Sequence, residues 1–468
     1  MAPLLEFCSR DYSVLLYDYN SIKKRTNMTK DLHNVIYGLT YHHVGVKSLA
    51  SNKDNMTIDK IANGLKALES HFQISGKDLI GSVNEAIEIP DIAKALSLAV
   101  ERQLNEANTD KVSHSITGGF DSRMLLSILV KLGVEIHGYT YGNPQAMDCL
   151  VAKQIAHHCR IPHVVHDIRF NKDSFRKAAE ESIIAGEYVC SLHRAHRLEA
   201  IKRESEFADT MFLGTMGGEF VKGANHEDYI VSNFVYEYAQ KKDLDTIRKY
   251  MQLRGLKAND DLAIAVKEVM DEQPYIKDAE NMELHALLEI AAKLHHGQNM
   301  IQYPKFIPHV FTPYCDPDYM KLLFRSKYNF LYRRKTQKPG KYKVENPRFG
   351  SMMQQHLNRD LARIPYSNGF SAAEYLFSPY WAALKAKQRK HKLKTPPTFP
   401  LGKWMEDYVK EMLQEIIDSG SSVCDVYDIP LLLKELNRPN LPQAEPFWLK
   451  YTCPIQMYIT DKLIGELK

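Results

Sequence analysis

Between residues 90 and 214 the chain alternates short apolar runs with amphipathic stretches, and this alternation constrains its fold more than any other feature. "KVSHSI" (111–116), "VEIHGYTYG" (134–142), "PHVVHDI" (162–168) and "ADTMFLG" (208–214) carry the β-branched and aromatic residues of strands. Between them run helical patterns. Met124, Leu125, Ile128, Leu129 and Leu132 stripe one face of a helix expected over 122–132, with Gly133 just past its end. "QAMDCLVAKQIAHHCR" (145–160) and "EYVCSLHRAHRLEAIKRE" (187–204) read as the next helices, and "PDIAKALSLAVERQL" (90–104) as one preceding the first strand. Strands separated by helices cannot pair as hairpins. The expected class is α/β, a parallel sheet with helices on both faces.

The flanks read differently. "YSVLLYDY" and "NVIYGLTYHHVGV" look like strands and "TIDKIANGLKAL" like a short helix capped by Thr57, so residues 1–88 are expected to form a small α+β domain. From about residue 224 the pattern is mostly helical, so 89–468 is taken as one α/β domain with a helical C-terminal part. A length of 468 residues accommodates this, and 44% hydrophobic and 25% charged residues are ordinary for a globular chain.

A net charge of +4 on so long a chain does not by itself argue for a nucleic-acid binder, though a local basic patch could matter, and nucleic acid is not the expected partner. The seven cysteines contain no Cys-x-x-Cys, which points to free thiols in a reducing compartment. The N-terminus lacks the basic region of a signal peptide, and no apolar run reaches the length of a membrane span. A cytoplasmic location and no membrane partner are the expectation.

The run "SITGGFDSR" (115–123) carries the chemistry. It lies between the first strand and the following helix, where first-turn N–H groups and the helix dipole attract anions. Gly118 and Gly119 would let a phosphate approach the backbone, Thr117 and Ser122 add hydroxyls, and Asp121 is a candidate magnesium ligand. Arg123 would add positive charge. Neither a P-loop nor a dinucleotide-binding fingerprint is present.

This run resembles the Ser-Gly-Gly-x-Asp-Ser pyrophosphate loop of the N-type ATP pyrophosphatases, with Thr117 in place of the first Ser. Within that group the chain is similar to the synthetase domain of the asparagine synthetase family, whose relatives include β-lactam synthetases and lasso-peptide cyclases. Three other stretches carry the likeness. "YTYGNPQAMDCLVAKQIAHHCRIPH" resembles the segment whose strand end contacts adenine, which implies roles for Tyr141 and Gly142. "FLGTMGGEFVKG" (212–223) resembles a glycine-rich motif with magnesium-binding acids, which implies nucleotide contacts from Leu213 and Gly214 and a metal-ligating, catalytic Glu219. "TPYCDPDYMKLLF" resembles a Pro-Phe-Leu-Asp segment.

The resemblance implies an adenine nucleotide alpha hydrolase-like fold, with ATP and Mg2+. Thr117, Gly118, Gly119, Asp121 and Ser122 would hold the nucleotide, Asp121 and Glu219 the metal, and Asp121, Arg123 and Glu219 would be catalytic. The implied reaction activates a carboxylate as an acyl-adenylate for attack by an amine or ammonia, in specialised biosynthesis. Dimers occur among the oligomeric states such a chain would adopt.

The chain also departs from the family. Gly218 stands where a motif Asp is usual, His309 and Phe311 replace a Glu and an Arg, and Asn368 in "PYSNGF" replaces a Lys; Lys335, Lys338 and Lys341 are candidates to supply its charge. Ala2 stands where the glutaminase nucleophile, a Cys, would be, and Cys8 is not terminal. Ammonia from solution, a separate glutaminase or a substrate amine would therefore serve as nucleophile. A nucleic-acid-modifying ATP pyrophosphatase and an inactive ATP-binding homologue are the alternatives.

Other features read less sharply. The paired histidines 42–43, 157–158 and 295–296 point in different directions and are expected to be solvated or hydrogen-bonded. "SLHRAHR" (191–197) is either a helix surface or an anion site, and the basic run 385–394 either a solvated helix end or a phosphate lid.

Overall fold

The computed structural model describes residues 74, 76–186, 192–223, 234–392, 395–438, 441 and 445–465. The strands and helix expected before residue 74, with Ala2, Cys8 and His42-His43, lie outside them, as do Cys190 and the side chain of His193.

Five strands, β1 (Lys111–Ser115), β2 (Glu135–Tyr141), β3 (His163–His166), β4 (Thr210–Phe212) and β5 (His309–Phe311), form one sheet in the order β3-β2-β1-β4-β5. Every pairing is parallel; Val112 lies beside Ile136, and His114 beside Gly138 and Phe212. The first four strands fall within the runs read from sequence. β5 does not: His309–Phe311 was read there only as motif positions, because three residues are too few for a visible period.

Helices α1 (Ile89–Ala107), α2 (Asp121–Lys131), α3 (Met147–Cys159), α4 (Lys172–Ala185) and α5 (Ala195–Glu204) connect and cover the sheet. α1 begins with Pro90 in its first turn and a reciprocal Glu88–Asp91 capping box. α2 ends as its sequence implies: Gly133 takes φ +73°, the left-handed conformation that stops a helix. α4 was not read from the sequence. Its N-cap Asn171 accepts from the Ser174 N–H at 2.8 Å, and its apolar face, Phe175, Ala179 and Ile183, is fully buried.

Strand alternation distributes side chains to two apolar layers. Val112, Ile116 and Ile136 pack with Met124 and Ile128 of α2 and Ile155 of α3. Tyr139 and Met211 point to the other layer and pack with Ile201 of α5, Tyr303, Ile307 and Val310. Helical cover therefore lies on both faces. Beyond the sheet the described chain is helical, including α6 (Gly217–Lys222), α7 (Pro339–Leu357), α8 (Leu401–Asp418) and α9 (Glu445–Gly465). No described helix is long and apolar enough to cross a membrane.

Under the second layer sits a buried carboxylate. Glu204 has no exposed surface and accepts from Ser113 Oγ, His166 Nε2 and, at 3.1 Å, His137 Nδ1. It ties α5 to β1, β2 and β3. Two further histidines are held neutral. Burial pushes the His163 pKa down to about 4, and burial also lowers that of His114. Unfolded, these rings bind protons below about 6.5, while the folded protein refuses them down to about 4 for His163. Stability is therefore expected to fall as the pH drops through that window. Denaturant midpoints measured across it check this, and a His163→Gln variant should flatten the dependence.

Candidate active site

In a parallel sheet the chain leaves every strand at the same edge, and a crevice opens where consecutive connections run in opposite directions. Here β1 leads to β2 and β3 on one side, while β4 and β5 add on the other side of β1. The loops after β1 and β4 flank that point, and a cavity of about 200 Å³ lies there. Thr117, Asp121 and Ser122 form one wall, Leu213, Gly214 and Thr215 another, and the ends of β1 and β2 contribute Ser115, Tyr139 and Tyr141.

The loop after β1 is held by its own hydroxyls. Ser122 Oγ lies 2.9 Å from Thr117 Oγ1 and accepts from the Thr117 N–H at 3.2 Å; Thr117 Oγ1 accepts from the Gly119 N–H at 3.2 Å. Beneath it, buried His114 places Nδ1 3.0 Å from the Phe212 carbonyl and Nε2 2.8 Å from that of Ser122. A neutral ring donates to one of these at a time; the first bond ties β1 to β4 and the second ties β1 to the start of α2.

The two glycines differ in what they are needed for. A Cβ on Gly118 would lie 2.6 Å from both Asp148 Oδ1 and Ser367 Cβ, and the Ser367 N–H donates to the Gly118 carbonyl at 2.8 Å. Gly118 is therefore required by the close approach of Ser367 and Asp148. At Gly119 a Cβ would meet only Thr117 Oγ1, at 3.2 Å.

Gly214 is required by the close approach of the second loop to α2. A Cβ there would lie 2.9 Å from the Ser122 nitrogen. A Cβ on Gly217 would lie 2.8 Å from Asp121 Cβ and 2.7 Å from the Tyr314 ring. The start of α6 thus rests against Asp121, whose carbonyl accepts from Tyr314 Oη at 2.8 Å. Burial, reinforced by the Asp121 charge, pushes the Tyr314 hydroxyl well above its usual pKa, so it stays a donor. Met216, at the N-cap of α6, takes φ +68°, a strained conformation for a residue with a side chain.

Several expected site residues lie elsewhere. Arg123 is fully buried and points away from the cavity. It donates to the carbonyls of Ile364 (2.5 Å), Leu361 (3.3 Å) and Pro365 (3.2 Å), and its guanidinium lies 4.2 Å from the centre of the Tyr366 ring. Burial lowers its pKa to about 10, so it remains charged, and its role is to hold the 361–366 segment against α2. Gly142 takes φ +118° and faces the Thr398 carbonyl, 2.7 Å from where its Cβ would be, so it seats the chain after the basic run and does not line the cavity. Glu219, half-buried in the first turn of α6, is absent from the cavity wall. Its charge acts on Cys315, whose thiol is raised chiefly by burial.

Asn368 is exposed, and Lys335, Lys338 and Lys341 are exposed and do not line the cavity. Among the residues that do, Arg197 is the cation and Asp121 the carboxylate. Of "SLHRAHR", it is thus Arg197 that reaches the site. Asn299 and Tyr303 also line it, and sequence reading missed both, because they lie in a helical stretch without a motif. Among the described residues no three His, Cys, Asp or Glu side chains cluster as a ready metal site. A magnesium ion carried by phosphates needs only one or two carboxylates, and Asp121 meets that requirement.

No family model matches the chain, and no curated protein matches it.

Two substitutions separate these roles. Arg123→Met leaves three carbonyls without their donor and is expected to cost roughly 2–4 kcal/mol of stability, read by denaturant unfolding. Gly214→Ala pushes on the Ser122 nitrogen and is expected to weaken binding of inorganic tripolyphosphate with magnesium while the fold persists, read by calorimetry and circular dichroism.

Proposed function

We propose that this chain is an ATP-dependent carbon–nitrogen ligase of the asparagine synthetase type, forming AMP and pyrophosphate. Its sheet would be that of an adenine nucleotide alpha hydrolase-like domain spanning 89–468, preceded by a small domain over 1–88. The observation that carries the reading is the placing of Thr117, Asp121, Ser122 and Gly214 around one cavity at the reversal of strand order. Helix α2 directs its N-terminus to that place, and its first-turn N–H groups have no partner within the helix.

The chemistry follows from those groups. A carboxylate reacts poorly with an amine, since its oxygen is a poor leaving group. One carboxylate oxygen of the substrate attacks the α-phosphorus of ATP, a new P–O bond forms, and the bond to the bridging oxygen breaks, releasing pyrophosphate. Negative charge builds on the leaving phosphates. The α2 N-terminus and the Thr117 and Ser122 hydroxyls would stabilise it, in a loop whose shape Gly119 allows. Magnesium, when bound with the nucleotide, supplies neutralising charge, and Asp121 would hold it, with Glu219 as the more distant candidate. An amine or ammonia then attacks the acyl carbon, AMP leaves with the C–O electron pair, and the nitrogen gives up a proton. The nitrogen source is a substrate amine, free ammonia or a separate glutaminase.

The lining contains no lysine, which favours a second reading in which nucleotide binding persists without transfer.

ATP–pyrophosphate exchange and pyrophosphate release against a panel of carboxylates (aspartate, other amino acids, uronic acids) tests the proposal. One carboxylate is expected to stimulate both. Asp121→Ala and Gly119→Val should each lower the rate by roughly 10²-fold or more. Tight ATP binding with no exchange for any carboxylate would favour the second reading, and unchanged exchange in both variants would remove the loop from the mechanism.

A further inference from the structure

The cavity is lined in part by apolar or aromatic side chains. Tyr139, Ile201, Leu213 and Tyr303 all line it and all belong to the buried layer on one face of the sheet. Into this setting one neutral polar group is delivered. Asn299 lines the same cavity, is only 3% exposed, and its side-chain amide makes no hydrogen bond with any described residue. It sits two residues into the short helix Gly297–Gln302, which continues directly from a ten-residue π-helix, Leu287–His296. π-helical turns are rare and occur frequently at functional sites.

Facing the cavity, this amide is open to whatever enters it, and a ligand that displaces water there must supply a donor and an acceptor in its place. An amide offers a donor and an acceptor side by side and carries no charge. It does not neutralise a carboxylate or a phosphate; the charged side chains of the described lining are Arg197 and Asp121. It matches the edge of a planar heteroaromatic ring whose faces lie against tyrosine and aliphatic side chains. Adenine presents that edge, an amino donor next to a ring-nitrogen acceptor, and asparagine pairs with it through two hydrogen bonds.

We infer that Asn299 is the residue that selects adenine in this site, reading the edge of the base within the cavity it shares with the glycine loop. The inference rests on the nucleotide reading above and adds what that reading lacks, a side chain that distinguishes one base from another. Neither the pyrophosphate loop nor the strand-end segment supplies one: Gly142 faces Thr398, and the Tyr141 ring stacks on Phe399 with centroids 5.4 Å apart.

The test uses the full chain and titrates magnesium-ATP, magnesium-GTP and magnesium tripolyphosphate by calorimetry, with thermal unfolding followed in parallel. The wild type is expected to bind ATP more tightly than GTP. In Asn299→Leu, ATP binding should weaken by roughly tenfold or more, since both base hydrogen bonds are lost. Tripolyphosphate binding should be unchanged. Without ligand this variant should unfold no earlier than the wild type, because the amide it loses had no partner. In Asn299→Asp, which keeps acceptors but loses the donor, the ATP-to-GTP preference should fall by roughly tenfold, as the carboxylate meets an adenine acceptor unfavourably and a guanine amino group favourably.

Asn299→Leu binding ATP as the wild type does would overturn the inference. Equal loss of ATP and tripolyphosphate would also overturn it, by assigning Asn299 to the shape of the whole site. Wild-type protein that binds tripolyphosphate but neither nucleotide would exclude any base subsite. Failure of the wild type to bind all three would instead overturn the nucleotide reading itself.

Discussion

A fully buried guanidinium must find its hydrogen-bond acceptors inside the protein, and the way Arg123 does so sets the geometry around the site. No described carboxylate pairs with it. Main-chain carbonyls of 361–365 and the face of Tyr366 take that place. A segment more than two hundred residues further along the chain is thereby pinned to the first turn of α2. The same segment continues into Ser367, whose N–H reaches the Gly118 carbonyl and whose side chain fills the space a Cβ on Gly118 would need. The glycine loop is thus gripped from outside by Ser367 and from inside by its own hydroxyls, with His114 tying the start of α2 to β1. A loop held on both sides can present its backbone in one arrangement, which is what electrostatic stabilisation of a developing charge requires.

The second wall is built by the opposite principle, the absence of side chains. Gly214 and Gly217 let the loop after β4 and the start of α6 come against Ser122 and Asp121 at distances no Cβ would allow. The β1 and β4 ends therefore meet over the strand-order reversal with little between them but backbone. Behind the cavity, Glu204 joins α5 to three strands, which fixes the helix that carries Arg197 and Ile201. The cavity thus has strand ends on one side, and Arg197, Asn299 and Tyr303 on helical segments complete its lining.

Much of this was legible in the sequence, for physical reasons. Runs such as "VEIHGYTYG" carry β-branched and aromatic residues because a strand buried on both faces needs them, and α2 carries its stripe because one of its faces must meet the sheet. Gly133 marked the end of α2 because only glycine takes φ +73° without cost. β5 and α4 escaped notice, the first because three residues give no period, the second because the eye passes from "PHVVHDI" to the next apolar stretch across a polar helix. The burial of Arg123 was not legible, because a position in the first turn of a helix says nothing about which way a long side chain turns.

The sequence by itself determined the order of strands and helices, the position of the glycine run at a helix start, and the residue types able to handle phosphate and metal. These are local properties, set by backbone sterics, by periodicity and by what a side chain can donate or accept. The tertiary structure alone decided which of them share a cavity. It set Gly118 against Ser367 and Gly142 against Thr398, turned Arg123 inward, left the candidate lysines at the surface and brought Arg197 and Asn299 to the cavity. The reason is that such placements depend on close contacts between segments distant along the chain, and periodicity within a segment carries no information about the shape of what will pack against it.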